Sequence, residues 1–191
     1  MSKGATLRSA QDVRSADRRS RFEEIYAAHW APILAYAVRR TSNGDDAADI
    51  VAETFLTAWR RLDDLPPGDE ARLWLYGVAR RVLANHHRGE RRKSELSDRL
   101  SRDLALIHED PEYTGERAVV AAAFRSLAEP DRELLALVGW EGLDHGEVAA
   151  VLGCSRNAVR IRLHRARARF AEAVSQVDSH VHVPNMIGDR S

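Results

Sequence analysis

The chain has 191 residues, 44% of them hydrophobic, and its 29 basic and 29 acidic residues cancel to zero formal charge. That length holds one ordinary domain or two small ones, and the cancelled charge excludes bulk electrostatics as the reason for any partner. A single cysteine, Cys154, excludes an intramolecular disulfide; no apolar run approaches the roughly 18 residues of a membrane helix, and the N-terminus lacks the apolar stretch of a secretory signal.

Alternating apolar and polar runs do not occur, whereas helical spacing recurs throughout. The expected fold is all-α: two small helical domains joined by a flexible acidic linker, the second containing a helix-turn-helix. Residues 1–19 read as a polar, flexible tail. The first domain, 20–93, opens with a helix over about Arg21 to Arg40. Phe22, Tyr26, Ile33 and Ala37 are expected to face inward, and Pro32 to kink or split the helix. "TSNGDD" is a turn ending in helix-capping acids. The next helix, about Asp46 to Leu62, buries Val51, Phe55, Ala58 and Leu62. It turns Asp46, Asp49, Glu53, Leu56, Thr57 and Arg60 outward, an acidic face that repels DNA and suits a protein partner, with Leu56 as apolar anchor. "DDLPPGDEA" is a loop. A third helix, about Ala71 to Arg88, buries Leu75, Val78, Ala79 and Val82. Gly77, Arg80, Arg81, Ala84 and Arg88 lie opposite, with Trp74 and Asn85 at the margin. Six basic residues and one acid lie between Arg80 and Lys93. Such a face suits a single-stranded nucleic acid: cations take the backbone, amides read base edges and aromatic rings stack.

Residues 94–116 hold seven acids against two arginines and a histidine and read as the linker, with some helix near Leu96 to Ile107. The second domain, 117–177, contains four helices. Asp144 and Glu147 form a capping-box pattern. Val148 and Leu152 turn inward, Gly153 ends the short helix in a left-handed conformation, and Ser155 caps the next. Short helix, glycine turn and capped longer helix are the order a helix-turn-helix requires. On the longer helix Val159, Leu163, Ala166 and Phe170 make an apolar stripe. Asn157, Arg160, Ile161, His164 and Arg165 lie opposite, with Arg156 and Arg162 flanking. Arg156 to Arg169 holds six arginines and no acid, so the face lacks the opposite-charge pairs a merely solvated helix gains from. A recognition helix places its N-terminal residues on base edges, and Ile161 suits a thymine methyl group. Residues 178–191 read as a second flexible tail.

Three segments together carry a family resemblance. "DDAADIVAETFLTAWRRL" resembles the core-polymerase-binding segment in region two of bacterial RNA polymerase sigma factors of the extracytoplasmic-function (ECF) group. "WLYGVARRVLANHHRGERR" resembles that group's promoter-melting and −10-reading segment. "GLDHGEVAAVLGCSRNAVRIRLHRARARF" resembles region four, which binds the −35 element. The resemblance implies a cytoplasmic initiation factor whose partners are core RNA polymerase (the β′ clamp helices and the β flap), promoter DNA and an anti-sigma factor. It implies that Asp49 and Glu53 meet the clamp helices, that Arg81 and Asn85 read the −10 element, that "DLPPGDEA" captures a flipped base, and that Asn157, Arg160, Ile161 and Arg165 face the −35 groove. The pattern differs from the group's usual one at "LDHGE", at Ile161 and in the two prolines of the loop; these differences bear on promoter sequence.

The combined expectation places Arg80, Arg81, Asn85, Arg88, Arg156, Asn157, Arg160, Ile161, His164 and Arg165 on DNA. It places Asp46, Asp49, Glu53, Leu56 and Arg60 on polymerase, and it includes no catalytic residue, metal or cofactor. A stand-alone helix-turn-helix regulator is the alternative; it leaves the first domain's two faces without a task. An enzyme would have to draw on His29, His86, His87, Glu90 or Cys154, and their spacing matches no hydrolytic or metal motif. The tail's "HVH" offers two metal ligands, too few for a site.

Overall fold

Aromatic residues at helical spacing set the first packing contact. Phe22 and Tyr26 on one helix meet Phe55 and Trp59 on the next, with ring centroids of Phe22 and Trp59 5.2 Å apart and those of Tyr26 and Phe55 4.7 Å apart. The computed structural model describes residues 3–100 and 115–181, with side-chain surroundings for 14–89 and 115–178. Among the described residues every regular element is helical: α1 (Lys3–Val38), α2 (Gly44–Arg60), a 3₁₀ turn (Leu62–Asp64), α3 (Glu70–Leu100), α4 (Glu116–Ser126), α5 (Glu129–Gly139), α6 (His145–Leu152) and α7 (Arg156–Val181). The chain divides into two compact units, Met1–Leu106 and Ile107–Ser191.

In the first unit α1, α2 and α3 pack pairwise. Their core is Ile33, Tyr36 and Ala37 from α1, Ile50, Phe55 and Ala58 from α2, and Leu75, Tyr76 and Ala79 from α3, all almost wholly buried. Asn43 caps α2, its side-chain oxygen accepting from the Asp46 backbone N–H at 2.7 Å. Leu62 and Leu65 are buried at either end of the 3₁₀ turn.

In the second unit α4, α5 and α6 all pack on α7. Val119, Ala123, Leu134, Leu137 and Val148 close over Val159, Leu163 and Ala166 of α7. Arg132 of α5 donates to the Arg125 and Leu127 carbonyls at 2.8 and 2.7 Å, satisfying the end of α4. Arg169 of α7 reaches Asp131 of α5 at 2.7 Å.

Several expectations need correction. The segment read as an N-terminal tail is helical from Lys3, continuous with α1. Its neighbouring turns are tied down through Arg18 and Phe22, contacts to residues some forty positions away that local composition does not announce. Pro32 does not divide α1; the lost backbone bond is offset by burial of Ile33, Tyr36 and Ala37 beside it. Tyr26 packs on Phe55 yet stays 41% exposed, because it lies at the edge of the α1–α2 seam. Gly77, expected outward, is buried; the Arg81 side chain lies along it, bonded to its carbonyl. In α6, Val151 and Ala149 are buried and Leu152 only partly so. α3 continues to Leu100, into the acidic segment. No proline occurs between Pro67 and Pro111, and Glu, Arg and Leu dominate the extension, which favours helix. The rest of the expected linker up to residue 114, and the expected C-terminal tail beyond Val181, lie outside the described residues; α7 itself runs into that tail segment, to Val181.

Candidate functional site

Helix α6, the turn after it and the start of α7 are built from caps. Asp144 accepts from the Gly146 and Glu147 backbone N–H groups, at 2.5 and 3.0 Å. The Glu147 carboxylate accepts from the Asp144 N–H at 2.8 Å, which completes a capping box. α6 ends at Gly153 with φ 64° and ψ 40°, a conformation costly to any residue with a Cβ. The Ala149 carbonyl accepts from both Gly153 and Cys154. The Ser155 hydroxyl then accepts from the Ala158 N–H at 3.2 Å and starts α7. Nothing lies within 4 Å of a Cβ built on Gly153, so Gly153→Ala isolates backbone strain. It is expected to destabilise the second unit by roughly 1–2 kcal/mol, measured by denaturant unfolding.

The backbone bonds from Glu147 and then Gly146 hold the Asp144 carboxyl below its ordinary value. A carboxylate with a lowered folded-state pKa contributes stability above its unfolded pKa and loses it as pH falls through the folded one. Compared with Asp144→Asn, the native chain's extra stability is therefore expected to vanish on acidification below about pH 4. Thermal melts of both proteins across that range measure it.

The face of α7 opposite its core is open to solvent. Arg156, Asn157, Arg160, Ile161, Arg162, His164 and Arg165 are all exposed, Ile161 at 41%. Arg160 donates to the Asn157 side-chain oxygen at 3.0 Å. The first unit repeats this pairing: Arg88 donates to the side-chain oxygen of Asn85. In each pair a guanidinium three positions on holds the side-chain oxygen of the amide. On α3, Arg80, Arg81, Asn85 and Arg88 are exposed, and Arg81 Nε donates to the Gly77 carbonyl at 2.9 Å, holding the guanidinium stem along its own helix. Trp74 is half-buried with Arg61 5.8 Å from its ring centre.

The acidic face of α2 is less uniform than its sequence. Asp49, Glu53, Leu56 and Arg60 are exposed. Glu53 lies 4.0 Å from Arg60, an exposed pair of little energetic weight. Asp46 is turned into the unit instead: it accepts from Asn43 at 2.9 Å and lies 3.1 Å from His86 Nε2 of α3. That contact ties the start of α2 to α3, so Asp46 serves the fold. An open groove of about 440 Å³ runs between α2 and α3, lined by Glu53, Thr57 and Arg61 on one side and Val78, Arg81 and Asn85 on the other. It brings together residues that the sequence assigned to separate surfaces. Among the described residues no group of three His, Cys, Asp or Glu could hold a metal ion, and no helix is long and apolar enough to cross a membrane.

Known proteins share this arrangement. The Sigma-70 region 2 family matches residues 25–93, and the Sigma-70 region 4 family matches residues 117–170, together well over half of the chain. The ECF RNA polymerase sigma factor EcfG of Rhodopseudomonas palustris is 31% identical over 141 residues, 73% of this chain and 77% of that one. The chain belongs to the ECF sigma factors of the sigma-70 family. The sigma factor CnrH of Cupriavidus metallidurans is 30% identical over 182 residues, 89% of this chain and 94% of its own. CnrH solved with the cytosolic domain of CnrY superposes with a TM-score of 0.58 at 31% identity, covering 81% of this chain and 88% of that one. The sigma factor RpoE of Bartonella quintana, solved with the anti-sigma factor NepR, gives a TM-score of 0.62 at 25% identity, covering 81% and 96%. As an ECF sigma factor the protein binds core RNA polymerase and directs initiation at specific promoters, and the stand-alone regulator is not favoured. The family is one of DNA-binding initiation factors rather than of enzymes.

Sequence reading missed Arg18, Arg21 and Arg61. A signal was present for Arg18 alone: Arg18, Phe22 and Tyr26 are spaced i, i+4, i+8, as are Phe55, Trp59 and Asp63. Two such ladders can zip together.

Proposed function

We propose that this ECF sigma factor acts in the cytoplasm without catalytic activity of its own, and that its tasks divide among three surfaces. The exposed part of the α2 face, Asp49, Glu53, Leu56 and Arg60, meets core polymerase. The α3 face, Arg80, Arg81, Asn85 and Arg88, takes the −10 element. The loop between the 3₁₀ turn and α3 captures an unpaired base there. The α7 face, with Asn157, Arg160, Ile161 and Arg165 on base edges and Arg156 and His164 beside them, takes the −35 element. The assignment of roles rests on one observation above all: each unit turns outward a helix face carrying an Asn–Arg pair among arginines, and the first unit adds an acidic face that DNA would avoid.

Zero net charge fits a factor whose DNA affinity is weak alone and becomes strong when polymerase links its contacts. Because a similar structure, RpoE, is bound to the anti-sigma factor NepR, an anti-sigma protein is the regulator proposed for this chain as well.

Asn85→Ala and Arg160→Ala are each expected to cost roughly 1–3 kcal/mol of promoter affinity, and to relax base preference at one position within the −10 and −35 elements respectively. Both should leave core binding unchanged. Competition binding of holoenzyme to single-base promoter variants measures this; a uniform loss across all variants would reassign the residue to the phosphate backbone.

A further inference from the structure

Two arginines of α1 lie N-terminal to the region 2 match at residues 25–93, and both reach the segment that leads into the −10 loop. Arg18 Nη1 donates to Asp63 Oδ2 at 2.7 Å, and its Nη2 donates to the Trp59 carbonyl at 2.8 Å. Its guanidinium also lies 5.4 Å from the Trp59 ring centre. Arg21 Nη2 donates to the Leu65 carbonyl at 2.7 Å, a part-buried bond. Phe22, the residue after Arg21, packs edge-on against Trp59. Arg61 holds Asp64 at 3.0 Å from the other side.

The acceptors span 59 to 65, the end of α2 and the whole 3₁₀ turn. The exposed Arg18–Asp63 ion pair contributes least, since water and salt screen it. The charged donors on the Trp59 and Leu65 carbonyls contribute more, because they are directional and Leu65 is buried. Past Leu65 the loop contains Pro66, Pro67 and Gly68, and Gly68 has φ 62°. The prolines limit the backbone freedom of a free loop. The arginines fix where that stiff segment starts, and Pro67, Gly68 and Asp69 are left exposed.

We propose that Arg18 and Arg21 are positioning residues for promoter opening: a brace from the N-terminal part of α1 that presets the 66–69 loop to receive an unpaired base. This rests on the base-capture role given to the loop above. A preset loop does not spend ordering entropy when the base arrives, so removing the brace should weaken binding to melted DNA selectively.

The test uses holoenzymes assembled with the native chain, Arg18→Ala/Arg21→Ala, and Arg21→Lys, which keeps a charged donor for the Leu65 carbonyl. Each is titrated with a promoter fragment whose −10 segment is unpaired by mismatch, its sequence taken from promoters the native holoenzyme transcribes. Affinity for core polymerase, affinity for the duplex −35 fragment and the thermal midpoint are measured alongside. The double alanine variant is expected to bind the mismatched fragment roughly tenfold more weakly, with core and −35 affinities kept and Arg21→Lys recovering part of the loss. Unchanged affinity for the mismatched fragment would overturn the proposal. So would a loss that merely tracks core affinity and thermal midpoint, since the arginines would then only stabilise the unit. If the native holoenzyme itself gains nothing from the mismatch, the base-capture role fails, and the brace's role fails with it.

Discussion

Replacing Leu163 by alanine is expected to remove about 2–5 kcal/mol from the second unit. Leu163 is 2% exposed at the centre of the Val159, Leu163, Ala166 stripe, on the helix against which α4, α5 and α6 all pack. A unit of this size holds on the order of 5 kcal/mol in total, so the substitution spends most of its margin. The functional consequence is specific. Loss of −35 recognition should accompany the unfolding of α7, while binding of core polymerase through the first unit persists, because the first unit has its own buried core. Leu163→Met conserves volume and should cost less than about 1.5 kcal/mol. Urea unfolding of the three proteins, paired with −35 duplex binding, reads both effects; equal stability in the alanine and methionine variants would mean that the stripe is not the unit's keystone.

Reversing two charges should act on the partner rather than the fold. Asp49 and Glu53 are exposed on α2, and the nearest cation to Glu53, Arg60, is 4.0 Å away. Replacing both acids by lysine should therefore move folding stability by no more than about 0.5 kcal/mol per site. At an interface with a complementary basic surface, like-charge contact costs several kcal/mol. Affinity for core polymerase is expected to fall on the order of a hundredfold or more, with the loss eased at high salt to the extent that the charges stay wet. Fluorescence anisotropy titration of labelled chain with core measures it. Unchanged affinity would move the polymerase-binding face elsewhere, since these two residues are the acids that this surface leaves outward.

The parts legible in the sequence are those that local chemistry encodes. Asp144, Glu147, Gly153 and Ser155 lie within twelve positions of one another, and each performs the cap its residue type implies, so the start and end of α6 and the start of α7 follow from local sequence. The stripe of α7 and the buried side of α2 follow from spacing alone. The missing parts were decided over distance. Asp46 looks like one more acid on a partner face until His86, forty residues later, is seen 3.1 Å from it. The first residues of the chain read as a tail because they are polar; what ties α1 down near Arg18 is the end of α2, forty-one residues on. The groove that joins Glu53 to Arg81 and Asn85 is likewise a product of packing, invisible to a reading that takes one helix at a time.

The most direct test of the central claim is transcription with purified components. The protein is added to bacterial core RNA polymerase on a pool of genomic promoters, and the transcripts are compared with those from core alone. A defined set of new transcripts whose promoters share −35 and −10 sequences is the predicted result. Core that binds the protein yet yields no promoter-specific transcripts, or core that does not bind it at all, would contradict the account.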